Sequence, residues 1–283
     1  MALLSTKGLL ETAYRNRSAV FAFASHNMEL MKTIVEAAEE TGSPVILQTT
    51  PATLRSTKVK LLAAMARAIA EEARIPVALH LDHGDSFATV AQCLRAGYTS
   101  VMIDGSRLPL KENIALTRRV VEMAHPMGVP VEAELGTIVG TEEPSAAVDG
   151  QAVFTDPATA ETFVSHTGVD FLAPSFGTAH GPYKGEIRLD FPRLAEISRR
   201  VSIPLVMHGA SGVPENSIQL AIANGVSKIN ISTELKQAFT QGLRDTLEEN
   251  PSETDPRKLF QSAKEAVKQV VKQKLNLARP IPG

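Results

Sequence analysis

Two hydrophobic periods alternate along the chain. Short apolar, β-branched runs recur, and each is followed by a longer stretch whose apolar residues have helical spacing. The runs are Ala19–Phe23, Pro44–Gln48, Pro76–Asp82, Ser100–Asp104, Pro130–Leu135, Asp170–Ser175, Pro204–Gly209 and Lys228–Ser232. The first precedes a helical pattern over Met28–Glu40, and the second precedes one over Lys58–Ala73. "FATVAQCLRAG", "KENIALTRRVVEMAH", "DPATAETFVSHTG", "DFPRLAEISRR", "PENSIQLAIANG" and "ELKQAFTQGLRDTLEEN" follow the others. Strands this apolar are buried on both faces, as in a parallel sheet covered by helices. Prolines such as Pro44, Pro76, Pro130 and Pro204 open strands, where a missing N–H matters least. Gly97, Gly168 and Gly225 follow helices, where a left-handed residue closes the end.

Eight such units predict an α/β fold, a (β/α)8 barrel, in one domain over residues 1–283. An open doubly wound sheet is the alternative, but no G-x-G-x-x-G follows the first strand. Two segments lie outside the repeat. Thr6–Asn16 reads as a short helix able to plug the barrel's bottom. Asp255–Leu277 reads as a basic helix, long enough to pack on a neighbouring subunit. The linker Gly136–Asp156 is long, polar and rich in small residues, and reads equally as a lid or as a surface insertion.

Composition narrows the class. Hydrophobic residues make up 43% and charged residues 21%, enough for a sizeable core. A net charge of −2 gives no case for a nucleic-acid or membrane-surface partner. The single cysteine, Cys93, cannot form an internal disulfide and fits a reducing compartment. The start lacks the features of a secretory signal, and no apolar run approaches a membrane span. A soluble cytoplasmic protein is expected.

The chemistry gathers where strands end, the catalytic face of such a barrel. Asp82 and His83 end the third strand, Glu132 and Glu134 lie on the fifth, His180 follows the sixth, His208 ends the seventh and Asn230 the eighth. A lone histidine there is usually a structural group. Three converging on one rim, His83, His180 and His208, form the ligand set of a zinc site with an open position. Strand alternation sets His80 and Asp82 on one face and His83 on the other. His83 therefore reaches the same site only if the strand is already bending, which Gly84 permits. His80 reads as a core histidine one layer deeper, and His26, His125 and His166 as structural. "MHGASGVPEN" and "INISTELK" offer small residues, hydroxyls and helix N-termini suited to phosphate, or ordinary loop and cap chemistry.

Taken together, "LHLDHG", "VEAELGTIVG", "GTAHGPYKGE", "LVMHGASGVP" and "KINISTELK" resemble the class II, zinc-dependent ketose-bisphosphate aldolases. The likeness runs nearly end to end. It implies that His83, His180 and His208 hold Zn²⁺, with Glu134 able to approach it, and adds a monovalent cation as a second cofactor. It implies that Asp82 exchanges a proton with the C4 hydroxyl during C3–C4 cleavage. It implies that Gly181, Gly209, Ala210, Ser211, Asn230, Ile231, Ser232 and Thr233 bind dihydroxyacetone phosphate. Glu142 matches a glutamate that moves a proton at the nucleophilic carbon. Arg257 is placed to reach the far phosphate in a neighbouring subunit of a homodimer or homotetramer. Lysine chemistry is not favoured, because Lys228 opens its strand at the wrong end and Lys184 lies in a loop.

Ala24, Val139 and Pro144 depart from the family pattern. They motivate two alternatives: a different phosphorylated ketose, or a non-catalytic sugar-phosphate-binding partner subunit. The small residue Ser232 resembles the tagatose-bisphosphate branch, whereas "LDHG" and "HGPYKGE" look more like bacterial fructose-bisphosphate enzymes. The expected substrate is tagatose 1,6-bisphosphate, with fructose 1,6-bisphosphate as the alternative. The products are dihydroxyacetone phosphate and glyceraldehyde 3-phosphate.

Overall fold

A computed structural model describes residues 2–138, 140, 153–183 and 185–278. Eight parallel strands close into a barrel in sequence order: β1 (Val20–Ala24), β2 (Val45–Thr49), β3 (Val77–Gly84), β4 (Ser100–Ile103), β5 (Val131–Leu135), β6 (Phe171–Pro174), β7 (Leu205–Met207) and β8 (Val226–Ile231). β8 pairs back onto β1 with Ala22 opposite Asn230, which removes both sheet edges. Helices α2 (Met28–Thr41), α4 (Val59–Glu72), α5 (Phe87–Ala96), α6 (Leu110–Ala124), α7 (Pro157–Thr167), α8 (Phe191–Val201), α9 (Glu215–Ala223) and α10 (Thr233–Glu249) follow successive strands. The eightfold reading of the sequence is therefore the observed architecture. The periodicity missed α3 (Pro51–Thr57), which precedes α4. Its Pro51 sits in the first turn, where a missing N–H costs nothing, and it is too short to show a helical period.

Strand alternation separates two cores. Val77, Leu79 and Leu81 face the helices and join the large outer cluster. Ala78 faces the barrel axis and packs with Val20, Ala22, Ile46, Phe171, Ala173 and Val206. This inner layer is closed from below by α1 (Thr6–Arg15), whose Leu10 and Ala13 join it. Leu4 N–H donates to the Val77 carbonyl at 2.8 Å, and Lys7 pairs with Asp170 at 2.8 Å. The expected plug is in place. Above the apolar layer the barrel turns polar: His80, Ser100, Glu132 and Lys228 are all buried.

The C-terminal helix α11 (Pro256–Asn276) departs from expectation. Ala263, Val267, Val271 and Leu275 are buried along one face, packed on α2 and α10 of the same chain. Lys272 reaches Glu40 on α2 at 3.0 Å, and Lys274 reaches Glu234 on α10 at 2.9 Å. Its apolar stripe serves its own barrel rather than a neighbour. No helix among the described residues is long and apolar enough to cross a membrane.

Candidate active site

The end of β3 creates the centre of the site. His80 and Asp82 point into the barrel, and unbroken alternation would turn His83 out. The register of β3 on β4 instead shifts between Leu81 and Gly84, and His83 adopts φ +47°. This left-handed conformation, uncommon for a side-chain-bearing residue, folds the imidazole back over the barrel mouth. The bend thus falls on His83 rather than on Gly84. Gly84 instead allows a close approach between strands, since a Cβ there would strike the Met102 carbonyl oxygen.

His180, in the loop after β6, and His208, directly after β7, meet His83. Ring centroids are 4.9 Å apart for His83 and His180, 4.6 Å for His83 and His208, and 5.8 Å for His180 and His208. Gly140 forms a single bridge with His180, and a Cβ at Gly140 would collide with the His180 backbone and Cβ. Glu134, at the end of β5, brings Oε2 to 3.4 Å from His208 Nδ1 and 4.0 Å from His83 Nδ1.

Two carboxylates fix the tautomers. His83 Nδ1 bonds Asp104 Oδ2 at 2.9 Å, so its Nε2 is free to face the cluster. His208 uses the opposite nitrogen: Nε2 bonds Glu132 Oε1 at 2.8 Å, leaving Nδ1 to face inward. Asp104 is held in turn by the backbone N–H and hydroxyl of Ser106 at 3.0 and 2.7 Å. The result is four donor atoms aimed at one space. His83 Nε2, His180 Nε2, His208 Nδ1 and Glu134 Oε2 are buried with no hydrogen-bond partner among the described residues. His83, Glu134, His180 and His208 can each offer one ligand atom, all within 4.8 Å of one another. Buried lone pairs this close repel unless a cation lies among them. Imidazoles with a carboxylate, anchored by outer carboxylates, suit a divalent transition metal.

The surrounding carboxylates favour positive charge in this cluster. Burial opposes charge on His83, but Asp82, Asp104 and Glu134 outweigh it and push the imidazole up to about 10. Burial, with His83 and His208 nearby, drives His180 well below its ordinary value. Burial and Asp104 raise Glu134. Asp82 is lowered although burial opposes its charge, because His83, His208 and Lys228 surround it. A buried carboxylate is thus kept as the anion beside the cluster. Asn230 Nδ2 donates to its Oδ1 at 3.0 Å.

A cavity of about 250 Å³ opens above Asp82, His83 and His180. One wall carries Gly181, Gly209, Ser211, Asn230, Ser232 and Thr233. Gly209 has φ +64°, and a Cβ there would hit the Ala179 carbonyl. Ser211 Oγ accepts from Ser232 N–H at 3.2 Å, tying the β7 and β8 loops together. Tyr183 hydroxyl accepts from Ala179 N–H at 3.0 Å and donates to the Gly209 carbonyl at 2.7 Å. The first turn of α10 faces this wall and adds Lys236. Backbone N–H groups, hydroxyls and a helix N-terminus together suit a phosphate.

The side chains of Ala210 and Ile231 are packed in the outer core, so what these residues offer a phosphate is their backbone. His26 is not merely structural: it lines the cavity and bonds Thr53 Oγ1 at 2.9 Å. Gln48, Thr50, Thr53 and Ser56 escaped the sequence reading because none belongs to a charged motif; Asp104 ends an apolar run, and Lys236 lies in "INISTELK", which is read for its hydroxyls. Ala24 stays buried, while Gln48, its register partner on β2, reaches the cavity. Lys228 lies inside the barrel rather than simply at its lower end. Its Nζ is 2.9 Å from Glu132, and it lines no part of the cavity, so it is not placed for Schiff-base chemistry. Arg257 is exposed in the first turn of α11, paired with Asp255 at 2.7 Å. Glu142, Val139, Pro144 and Lys184 lie outside the described residues.

Residues 4–280 match the family model described as fructose-bisphosphate aldolase class-II. The YdjI aldolase from Escherichia coli K12 is 34% identical, with 98% of this chain and 97% of that one covered and a TM-score of 0.86. A putative fructose-1,6-bisphosphate aldolase from Coccidioides immitis is 29% identical, over 96% of this chain and 94% of that one, with a TM-score of 0.86. The fructose-bisphosphate aldolase of Campylobacter jejuni, 22% identical over 98% of this chain and 95% of that one, shares the fold with a TM-score of 0.82.

Proposed function

This chain belongs to the class II fructose-bisphosphate aldolase family, and on that premise we propose that it is a zinc-dependent aldolase for tagatose 1,6-bisphosphate. The reaction is reversible cleavage to dihydroxyacetone phosphate and glyceraldehyde 3-phosphate, with fructose 1,6-bisphosphate as the alternative substrate. The observation that carries this reading is the set of four buried, unpartnered donor atoms on His83, His180, His208 and Glu134.

In this reading His83 Nε2, His180 Nε2 and His208 Nδ1 hold the ion, and Glu134 stands beside them as a further donor. Zn²⁺, when bound, supplies Lewis-acid polarisation of the ketose carbonyl. Asp82 takes the C4 hydroxyl proton as the C3–C4 bond breaks and the C4 aldehyde forms. In condensation it returns that proton to the aldehyde oxygen. Asn230 occupies one carboxylate oxygen of Asp82 and leaves the other for substrate. Glu142 delivers the proton that the nucleophilic carbon of dihydroxyacetone phosphate needs after cleavage. Gly181, Gly209, Ser211, Ser232 and Thr233 hold the phosphate of that half, and a monovalent cation there would offset its charge. Arg257 from a neighbouring copy, in a homodimer or homotetramer, meets the far phosphate.

Ser232 on the cavity wall supports the tagatose assignment by resemblance, because the tagatose-bisphosphate branch carries a small residue at this place, where fructose-bisphosphate enzymes often carry Asp or Asn. Steady-state kinetics on both bisphosphates test it. The expected result is a higher kcat/KM for tagatose 1,6-bisphosphate. A preference for the fructose epimer reverses the substrate assignment, and no cleavage of either defeats the bisphosphate reading.

A further inference from the structure

Directly beneath the histidine cluster lies a lysine that lines no part of the cavity. Lys228 is 1% exposed and sits inside the barrel on β8. Its Nζ makes an ion pair with Glu132 Oε2 at 2.9 Å and lies 3.4 Å from His80 Nε2. Glu132, itself buried, gives its other oxygen to His208 Nε2 at 2.8 Å. One carboxylate is therefore shared, one oxygen to the lysine and one to the histidine.

We propose that Lys228 is a positioning residue for the metal centre: it holds the Glu132 carboxylate in the orientation that fixes the ring and tautomer of His208. The inference rests on the reading that His83, His180 and His208 bind a divalent ion. Stability alone does not explain the pair, because a buried ion pair can often be replaced by apolar residues without loss. The arrangement parallels the one at His83. There the anchoring carboxylate, Asp104, is pinned by Ser106 from a loop. Glu132 lies deeper, fully buried on β5, and Lys228 pins it instead.

Lys228 is itself braced from below. The acceptor nitrogen of His80 faces Nζ, and His80 Nδ1 bonds Ser100 Oγ at 2.8 Å. Ser100 Oγ also accepts from Thr6 Oγ1 at 2.9 Å, which belongs to the plugging helix α1. A buried polar chain thus runs from the floor of the barrel to a metal-facing histidine. Outer partners of metal-bound histidines typically govern metal affinity by about 10–100-fold.

The test is zinc affinity by chelator competition in wild type, Lys228→Met, Glu132→Gln and the double variant. The visible spectrum of each Co²⁺-loaded protein serves as a second readout. Wild type without zinc affinity would sink the metal reading itself. Given wild-type binding, Lys228→Met should weaken zinc by about 10-fold or more and alter the Co²⁺ spectrum. In the Glu132→Gln background the same change should have little further effect, since Lys228 acts through Glu132. Unchanged affinity in Lys228→Met, or an equal loss in both backgrounds, overturns the proposal. Should Lys228→Met not fold, Lys228→Gln, which keeps a polar group in the barrel but is one atom too short to bring its amide to where Nζ meets Glu132, takes its place with the same expectation.

Discussion

Asn230 donates to Asp82 Oδ1 at 3.0 Å across the barrel mouth, from β8 to β3. The contact leaves the second oxygen of a buried carboxylate facing the cavity. His83, His208 and Lys228 hold that carboxylate anionic although burial opposes it. A base so placed is suited to one hydroxyl proton. Asp82→Ala should therefore keep its zinc and lose about 10²–10⁴-fold in kcat. Metal content and turnover measured on the same sample check this. Loss of zinc with activity would make Asp82 a ligand instead.

Metal removal should abolish cleavage. Dialysis against a chelator is expected to give inactive protein, and added Zn²⁺ or Co²⁺ to restore it. Borohydride with substrate should leave Lys228 unmodified, because its amine is buried against Glu132. Activity that survives complete metal removal contradicts the account.

Much of this was legible in the sequence, for physical reasons. Parallel strands buried on both faces leave long apolar runs, so the eight repeats stood out, and with them the rim that gathers His83, His180 and His208. Three features were hidden. The bend at β3 was inferred from Gly84, but the left-handed residue is His83, because only the register shift against β4 shows which residue absorbs the turn. Asp104 and Lys228 read as an ordinary strand end and strand start. Their roles depend on partners far away in sequence, His83 and Glu132. α3 carries Thr53 and Ser56 to the cavity, yet seven residues give no periodicity to detect. Arg257 is exposed at the start of α11 and, among the described residues, pairs with Asp255, so its own chain gives no sign of the far phosphate.

The β3 turn has little tolerance. A methyl group on Gly84 would meet the Met102 carbonyl oxygen, which is backbone and cannot swing aside. Gly84→Ala should destabilise the fold by about 1–3 kcal/mol and weaken zinc binding, since His83 is the adjacent residue. Thermal unfolding and chelator competition read the two effects. A variant with wild-type Tm and wild-type affinity would contradict the strained-turn explanation.

Burial, reinforced by Lys228, lowers His80 to about 3. The unfolded chain protonates this histidine near its ordinary value, about 6.5, and the folded chain does not until about 3. The unfolded state thus binds the extra proton across that window, and stability falls as pH drops through it. Metal-free protein should lose roughly 2 kcal/mol from this group between about pH 7 and about pH 5. Urea unfolding of wild type and His80→Asn at both pH values checks it. The variant should show the shallower loss, and equal losses would remove His80 from the explanation.

The central claim is a divalent ion among three imidazoles. The most direct measurement is anomalous diffraction at the zinc edge from zinc-loaded crystals. One peak is expected, about 2.0–2.1 Å from His83 Nε2, His180 Nε2 and His208 Nδ1. A peak among His80, Asp82 and Glu132 instead, or no peak at the barrel mouth, would contradict it.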